Sequence, residues 1–289
     1  MKLPMKKIYF LSDAHLGSRA MTNNRERERK LCAFLDSVRH DASAIYLLGD
    51  IFDFWFEYHN VIPKGYTRFL GKLSELADAG IEIHYFTGNH DMWAFNYLHE
   101  ECGVILHTAP TEIILPSVSD NNVYAYVGHG DGLGDPSRGF RFIRAIFHSS
   151  LCQWLFRNIF PADLGMEFGL RWAKSSRLKH SRNATAENGD TLFVSESGEV
   201  SNALGEVLSH NTETEEPFQG EGKEPLVIFS KQYIKEHPGT SFLIFGHRHI
   251  EFDLMLSRQC RLLILGEWLR KCTYAVWDGE TMLLDNYED

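Results

Sequence analysis

The chain has 289 residues, enough for one large or two small domains with a substantial buried core. Its formal net charge of −10 disfavours a general nucleic-acid-binding protein. No apolar stretch reaches the roughly 20 residues that a membrane-spanning helix needs. The five cysteines are scattered and lack CxxC spacing, which indicates a reducing compartment and argues against a cysteine zinc site.

The sequence opens with lysines and a short apolar run, an order that signal peptides also show. The run covers only residues 8–11 before Ser12 and Asp13, which is too short for the apolar region of a signal peptide. We therefore expect a first β-strand here and a cytoplasmic protein.

Apolar runs with strand character alternate with helical patterns in the first part of the chain. Each run ends in a turn glycine or a polar cluster. The predicted strands lie at 7–12, 44–49, 81–88, 123–128, 241–246 and 261–266, with a closing hairpin at 273–278 and 281–285. Helical patterns lie at about 24–39, 65–79 and 92–101. The alternation predicts an α/β layered domain with a largely parallel core, in which ligands collect outside the carboxyl ends of the strands.

Two regions break this alternation and divide the predicted core, 1–135 and 225–289. Residues 136–182 predict a cap of two or three helices, aromatic on one side and basic on the other. Nine basic residues against two acidic residues give this segment a net charge of +7, so the rest of the chain carries −17. Residues 183–224 are polar and acidic with little periodicity, and we expect a long surface loop or partly disordered insert there.

Five strand ends carry side chains that bind metals. They read Asp13-Ala14-His15, Gly49-Asp50-Ile51-Phe52-Asp53, Gly88-Asn89-His90-Asp91, Gly128-His129-Gly130-Asp131 and Gly246-His247-Arg248-His249. Carboxylate, imidazole and amide ligands suit Mn, Fe, Zn or Mg. Each motif alone has an ordinary explanation as a turn, a helix cap or a surface histidine. All five occur in order after apolar runs, which predicts a metal site at one edge of the sheet.

In this order, DAH, GDIFD, GNHD, GHGD and GHRH resemble the calcineurin-like metallophosphoesterase superfamily across residues 13–249. The resemblance implies a four-layer α/β/β/α sandwich with a helical cap insertion and a dinuclear metal centre. It also implies a ligand set: one metal is bound by Asp13, His15 and His249, the other by Asn89, His129 and His247, and Asp50 bridges them. Nitrogen-rich ligation favours Mn²⁺ over Mg²⁺ in such a centre.

The residues beside the ligands receive roles from the same resemblance. His90 protonates the leaving oxygen or stabilises charge on the phosphoryl group, together with Asn89. Asp53 and Asp91 orient the ligands, although for Asp53 helix capping is an equally good reading. We expect Arg248 to point away from the metals and to make a surface or cap contact.

The cap sequence narrows the resemblance further. HGDGLGDPSRGFRFIRAIFHSSLCQWLFRNIFPADL, RWAKSSRLK, GDIFDFW and LGEWLRKCTYAVWDG resemble the UDP-2,3-diacylglucosamine pyrophosphohydrolases of lipid A synthesis. This implies a UDP-activated diacylglucosamine substrate and a cytoplasmic enzyme at the inner membrane surface. The implied substrate-binding residues are Asn89, His90, Asp135, Phe140, Ser175, Arg177 and His247. One departure is His90, where that family typically has arginine.

Two other readings stay open. The chain could be a metallophosphoesterase that acts on another phosphodiester, phosphomonoester or nucleotide, although so apolar a cap is unexpected for soluble substrates. It could also be a scaffold that has lost catalysis, but all seven predicted ligands and His90 are present, and two-metal chemistry needs the full set. The sequence leaves the oligomeric state open.

Overall fold

The computed structural model describes residues 5–19, 23–119, 121–134, 145–147, 149–171, 193–194, 200–201, 207–209 and 218–288. Four of the predicted substrate contacts lie outside these residues: Asp135, Phe140, Ser175 and Arg177.

The first sheet has six strands, and those in its middle are parallel. They are β1 (Lys7–Leu11), β2 (Ala42–Leu47), β3 (Glu82–Phe86), β4 (Ile105–His107), β13 (Thr273–Trp277) and β14 (Met282–Asn286). Their order is β14-β13-β1-β2-β3-β4. β1 to β4 are parallel, and β13 and β14 add an antiparallel edge. Parallel strands are buried on both faces, which explains why β1 and β2 read as nearly continuous apolar runs.

The second sheet has five strands with the same design. They are β5 (Thr111–Leu115), β6 (Val123–Gly128), β10 (Thr240–Phe245), β11 (Glu251–Met255) and β12 (Arg261–Leu265), in the order β11-β12-β10-β6-β5. β10 is parallel to both neighbours, and both edge strands are antiparallel. β6 and β10 therefore end at the same edge and deliver their motifs side by side.

The helices lie on the outer faces and in the cap. They are α1 (Asn24–Val38), α2 (Thr67–Asp78), α3 (Tyr97–Cys102), α4 (Ser150–Ile159), α5 (162–171) and α6 (Pro225–Glu236). α6 starts with a proline, whose fixed φ suits the first turn of a helix. Among the described residues, no helix combines the length and apolar character that crossing a bilayer requires.

Three buried clusters separate four layers. Tyr9 and Leu11 of β1 pack with residues of α1 and α2 on one face of the first sheet. Phe10, on the opposite face of β1, packs against the second sheet through residues such as Ile244. Leu243 on the far face of β10 packs under α6. The predicted α/β/β/α layering is confirmed, and the period-two alternation along β1 and β10 produces it.

Several elements differ from the predicted ones. α3 starts at Tyr97 instead of near residue 92, because Trp93 forms a β-bridge with Phe56 and cannot be helical there. The strands β4, β5 and β11 and the helix α6 were not predicted. Within 183–224, three short antiparallel strands occur: β7 (Phe193–Val194), β8 (Val200–Ser201) and β9 (Val207–Ser209). They are too short to show a period-two pattern. The boundaries between core, cap and insert stay a prediction.

Candidate metal centre

The first predicted ligand group forms a tight cluster at the ends of β1 and β10. Asp13 Oδ1 lies 3.1 Å from His249 Nε2 and 3.7 Å from His15 Nε2. The two imidazole nitrogens, His15 Nε2 and His249 Nε2, are 3.1 Å apart. Asp13 and His15 are fully buried. One oxygen and two nitrogens therefore converge on a single point, as metal ligands do.

The second predicted group lies beside the first. Asp50 Oδ2 and Asn89 Oδ1 each lie 3.2 Å from His129 Nε2. Ligand atoms of Asp50, His129 and His247 all fall within 4.8 Å of one another. Asp50 Oδ2 is also 4.0 Å from His15 Nε2 of the first group. Asp50 thus stands between the two clusters, where a shared carboxylate would have to be.

Backbone strain is concentrated at these ligands. Among the described residues other than glycine, seven have positive φ, and five of them are predicted ligands: Asp13 (55°), His15 (42°), Asp50 (52°), His247 (70°) and His249 (52°). Such left-handed backbone costs roughly 1–3 kcal/mol for each L residue and persists only where its surroundings enforce it. The strain turns each side chain off the strand end into the common cluster.

The two oxygens of Asp13 have different surroundings, and the difference fits a metal. Oδ2 accepts hydrogen bonds from the Ser12 hydroxyl (2.6 Å) and the His247 backbone N–H (2.9 Å). Oδ1 is buried and faces two imidazole nitrogens instead, His249 Nε2 at 3.1 Å and His15 Nε2 at 3.7 Å. A buried carboxylate oxygen is stabilised when a cation lies against it. The oxygen and imidazole donors suit a divalent ion, and no thiolate is among them.

Glycines make this close approach possible. A Cβ on Gly246 would collide with the Ser12 hydroxyl and Asp13 Oδ2, and a Cβ on Gly88 would collide with the carboxylate of Asp50. Neither glycine has positive φ, so both are needed for space and not for a sharp turn. Among the glycines of these motifs that precede a ligand, only Gly49 uses left-handed backbone, at φ 86°.

Hydrogen bonds determine which ring nitrogen of His129 and of His90 faces the site. His129 Nδ1 lies 2.9 Å from the Leu48 carbonyl oxygen, so Nδ1 carries a proton and Nε2 is the nitrogen that faces the ligand cluster. His90 Nδ1 donates to the Asp53 carbonyl oxygen in the same way, at 2.7 Å. His90 lies beside the first group, with its ring centre 4.9 Å from that of His15.

The buried charges of the two groups balance each other. Burial alone would raise the pKa of Asp13 and Asp50, but the charges of His249 and His129 outweigh it and hold both pKa values well below the usual range. Burial lowers the pKa of His129, but the Asp50 carboxylate raises it by more than burial lowers it, so the pKa is higher than usual. Burial and the positive charge of His129 lower the pKa of His247 to about 4.

Comparison with known proteins assigns a family to this geometry. The chain is 39% identical over 285 residues to a UDP-2,3-diacylglucosamine hydrolase of Porphyromonas gingivalis, covering 98% of both chains. The chain belongs to the UDP-2,3-diacylglucosamine hydrolase family. A family member from Actinobacillus succinogenes is 29% identical over 270 residues, covering 91% of this chain and 92% of the relative. No family model matches the chain.

Solved structures resemble the chain only loosely. A phosphoesterase from E. coli is 12% identical, with a TM-score of 0.39 over 96% of this chain and 90% of that chain. So loose a superposition supports no assignment. The family rests on the relatives, which are hydrolases, and this chain is accordingly a hydrolase.

Asp91 forms hydrogen bonds with two of the loops that carry predicted metal ligands. Its Oδ1 accepts from the Gly88 N–H at 2.7 Å, and its Oδ2 accepts from the Ile51 N–H at 2.9 Å and the Tyr85 hydroxyl at 2.5 Å. Burial and the nearby charge of Asp50 raise the pKa of Asp91 to about 6. The geometry suits the orienting role predicted for Asp91.

Asp53 begins no helix, which removes the helix-capping alternative. Its Oδ1 lies 3.7 Å from His15 Nδ1, and its carbonyl oxygen holds His90. It therefore touches a ligand and the predicted acid at once.

The cap lies over the loops that follow β2 and β3. The Trp93 indole N–H donates to the Phe147 carbonyl oxygen at 2.8 Å. Phe156 of α4 packs against Trp93 and Phe56, with ring centres 5.1 and 5.0 Å away. Trp93 and Phe56 follow the motifs that contain Asn89 and Asp50, so the described part of the predicted cap lies beside the loops that carry these two ligands.

Sequence reasoning missed side chains that support the ligands from elsewhere in the chain. Arg27 of α1 is buried and donates to the carbonyl oxygens of Ala14 and His15 at 3.2 and 3.3 Å. It shares a helix face with Leu31, and a charged residue on an apolar face was the available signal. Ser12 and Tyr85 left no signal, because a hydroxyl in a strand is ordinary.

Proposed function

We propose that this protein cleaves the pyrophosphate of UDP-2,3-diacylglucosamine and releases UMP and 2,3-diacylglucosamine 1-phosphate. The observation that carries the proposal is the pair of ligand clusters joined by Asp50, in a chain 39% identical to a UDP-2,3-diacylglucosamine hydrolase. A pyrophosphate is an anion that two adjacent cations can bind together. The site and the family therefore support the same reaction.

The centre would hold two divalent ions, and we propose Mn²⁺. Asp13, His15 and His249 would bind one ion, Asn89, His129 and His247 the other, and Asp50 both. When bound, such ions polarise the phosphoryl group and lower the pKa of a coordinated water toward neutrality. Imidazole ligands favour Mn²⁺ over Mg²⁺, whose sites are built from oxygen.

His90 and Asn89 would act on the phosphoryl group directly. Since His90 Nδ1 is held by the Asp53 carbonyl oxygen, its Nε2 is the nitrogen that can reach substrate. In the protonated form Nε2–H donates to a phosphoryl or leaving oxygen and offsets the charge that develops there. Asn89 offers Oδ1 to the second ligand group and keeps an NH₂ that can donate to a phosphoryl oxygen.

The outer face of the cap suits a lipid substrate. Four large apolar side chains of α4 are exposed at helical spacing i, i+3, i+4 and i+8: Leu151, Trp154, Leu155 and Ile159. The inner face of α4 is already packed against the core through Phe156. An exposed apolar stripe of this size marks a surface that binds another apolar surface.

The acyl chains of the substrate and the bilayer that contains them would cover this stripe. The basic residues of 136–182 supply attraction to anionic headgroups. The proposal places the protein in the cytoplasm, bound peripherally to the inner membrane. Asp135, Phe140, Ser175 and Arg177 stay predicted substrate contacts.

A substrate pair tests the reaction. Mn²⁺-loaded protein is incubated with UDP-2,3-diacylglucosamine, or with UDP-N-acetylglucosamine, which has the same pyrophosphate and no paired long acyl chains, and UMP is measured. We expect rapid UMP release from the lipid alone. If bis-p-nitrophenyl phosphate is hydrolysed but neither UDP-sugar is, the two-metal site stands and the lipid substrate is wrong.

A further inference from the structure

Arg248 sits between two predicted ligands whose backbones are strained. His247 and His249 both have positive φ, and the Arg248 N–H donates to the Gly246 carbonyl oxygen at 2.8 Å. Two left-handed residues around one ordinary residue form a tight turn that L residues adopt only at an energetic cost. Something outside the turn must hold it in this form.

A buried ion pair between Arg248 and Glu224 holds this turn in place. Arg248 Nε and Nη2 donate to the two carboxylate oxygens of Glu224, at 2.6 and 3.2 Å. The Arg248 side chain is 9% exposed and that of Glu224 is 0% exposed. This two-pronged pairing fixes the guanidinium plane in orientation as well as position. Arg248 therefore points away from the metal ligands, as expected, but the predicted surface or cap contact is wrong, because its side chain is buried against Glu224.

The segment that starts at Glu224 also supports the loop that carries His129. A Cβ on Gly134 would collide with the Pro225 carbonyl oxygen, and a Cβ on Gly130 would meet Leu226 at 3.2 Å. In addition, the Gly246 N–H donates to the His129 carbonyl oxygen at 3.0 Å. The start of α6 thus contacts both loops that supply histidines to the second ligand group.

Neither helix capping nor a contribution to stability explains the pairing of Glu224 with Arg248 well. Glu224 immediately precedes α6, yet its side chain makes no capping hydrogen bond to the helix. A buried ion pair is a weak source of stability, because desolvation offsets most of its attraction. What it does provide is a fixed geometry.

We propose that Glu224 and Arg248 form a positioning pair that holds His247 and His249 apart, so that each reaches its own ligand group. The inference rests on the two-metal centre proposed above. It also links the metal site to the end of the 183–224 insert, because Glu224 is the last residue of that insert. Neither residue touches substrate in this account.

Metal retention tests the pair directly. Wild type and variants are loaded with Mn²⁺ and equilibrated with increasing chelator, and the Mn²⁺ per chain gives two dissociation constants. Removing a partner behind a metal ligand typically weakens metal binding by about 10- to 100-fold. We expect Arg248→Met and Arg248→Lys to weaken at least one of the two ions by that factor, since lysine cannot form the two-pronged contact.

The matched control is Arg261→Met. Arg261 also donates two hydrogen bonds to one carboxylate, that of Asp253. Asp253 lies on the neighbouring strand of the second sheet, and neither residue contacts a predicted metal ligand. Its metal affinities should equal those of the wild type. Glu224→Met/Arg248→Met removes both charges together and preserves the fold if a single variant does not.

Each outcome decides a different point. Wild-type affinity for both ions in the double variant would show that the pair does not position the ligands. Fewer than two ions in the wild type would instead refute the two-metal centre, and the inference with it. Weakening in the Arg248 variants and in the double variant, but not in Arg261→Met, supports the proposal.

Discussion

Asp91→Asn separates the orienting role of Asp91 from simple space filling. Asparagine keeps the shape but replaces one acceptor oxygen with an NH₂ donor. The amide oxygen can stay with the two donors Ile51 N–H and Tyr85 hydroxyl, which leaves the NH₂ facing the Gly88 N–H. An unsatisfied buried donor costs about 1–3 kcal/mol, whereas removing the charge relieves the burial and the repulsion from Asp50 that raise the pKa of Asp91. We therefore expect a net loss of about 1–2 kcal/mol in the unfolding free energy.

The same change should move a ligand. Gly88 precedes Asn89, so the loss of its anchor lets the second ligand group shift, and turnover should fall by about 10- to 100-fold. Urea denaturation at pH 8 measures stability, and UMP release measures turnover. Tyr85→Phe is the control: it removes one of the three donors, should cost about 1 kcal/mol and should leave turnover nearly unchanged. If Asp91→Asn behaves like Tyr85→Phe, Asp91 does not hold the loops.

Three further predictions concern the thiols, the stability and the cap. Native protein should react quickly with a thiol reagent at Cys152 alone, since the other four thiols are buried; rapid loss of a second thiol would contradict this. His84 and His107 share a hydrogen bond at 3.0 Å. Burial lowers the pKa of both, with the charge of His84 adding for His107, so the folded state binds fewer protons and loses stability as pH falls below about 6.5. Urea denaturation of His107→Gln should show a smaller loss between pH 7 and 5 than the wild type; an equal loss would refute the pairing. Leu151→Ser/Trp154→Ser should reduce co-sedimentation with anionic vesicles without slowing bis-p-nitrophenyl phosphate hydrolysis, and unchanged binding would exclude the stripe as the membrane contact.

Most of the core strands could be predicted because burial on both faces leaves a direct trace. β1, β2 and β10 read as apolar runs that stop at polar motifs, and those motifs predicted a metal site at one edge of one sheet. The motifs instead end strands of two sheets, β1, β2 and β3 in the first and β6 and β10 in the second. The assignment of the seven ligands came from the family resemblance. β11 left a weaker trace, since it is an edge strand with a partly exposed face.

The backbone conformation of the ligands and the contacts that hold them could not be predicted from the sequence. Left-handed backbone is ordinarily adopted by glycine, so no feature of the sequence indicated that Asp13 and His247 would adopt it. Arg248 and Glu224 are 24 residues apart and meet only through the packing of α6 on the second sheet. Contacts of this kind depend on tertiary structure, whereas the ligand motifs depend on where each strand ends.

The most direct test of the two-metal account is UMP release as a function of bound metal. Metal-free protein is reconstituted with Mn²⁺ to defined ratios, the ions per chain are measured, and UMP from UDP-2,3-diacylglucosamine is followed at each ratio. The account predicts activity that rises with the second ion and is absent in Asp50→Ala, which lacks the shared carboxylate. Full activity with one ion per chain, or with none, would contradict it.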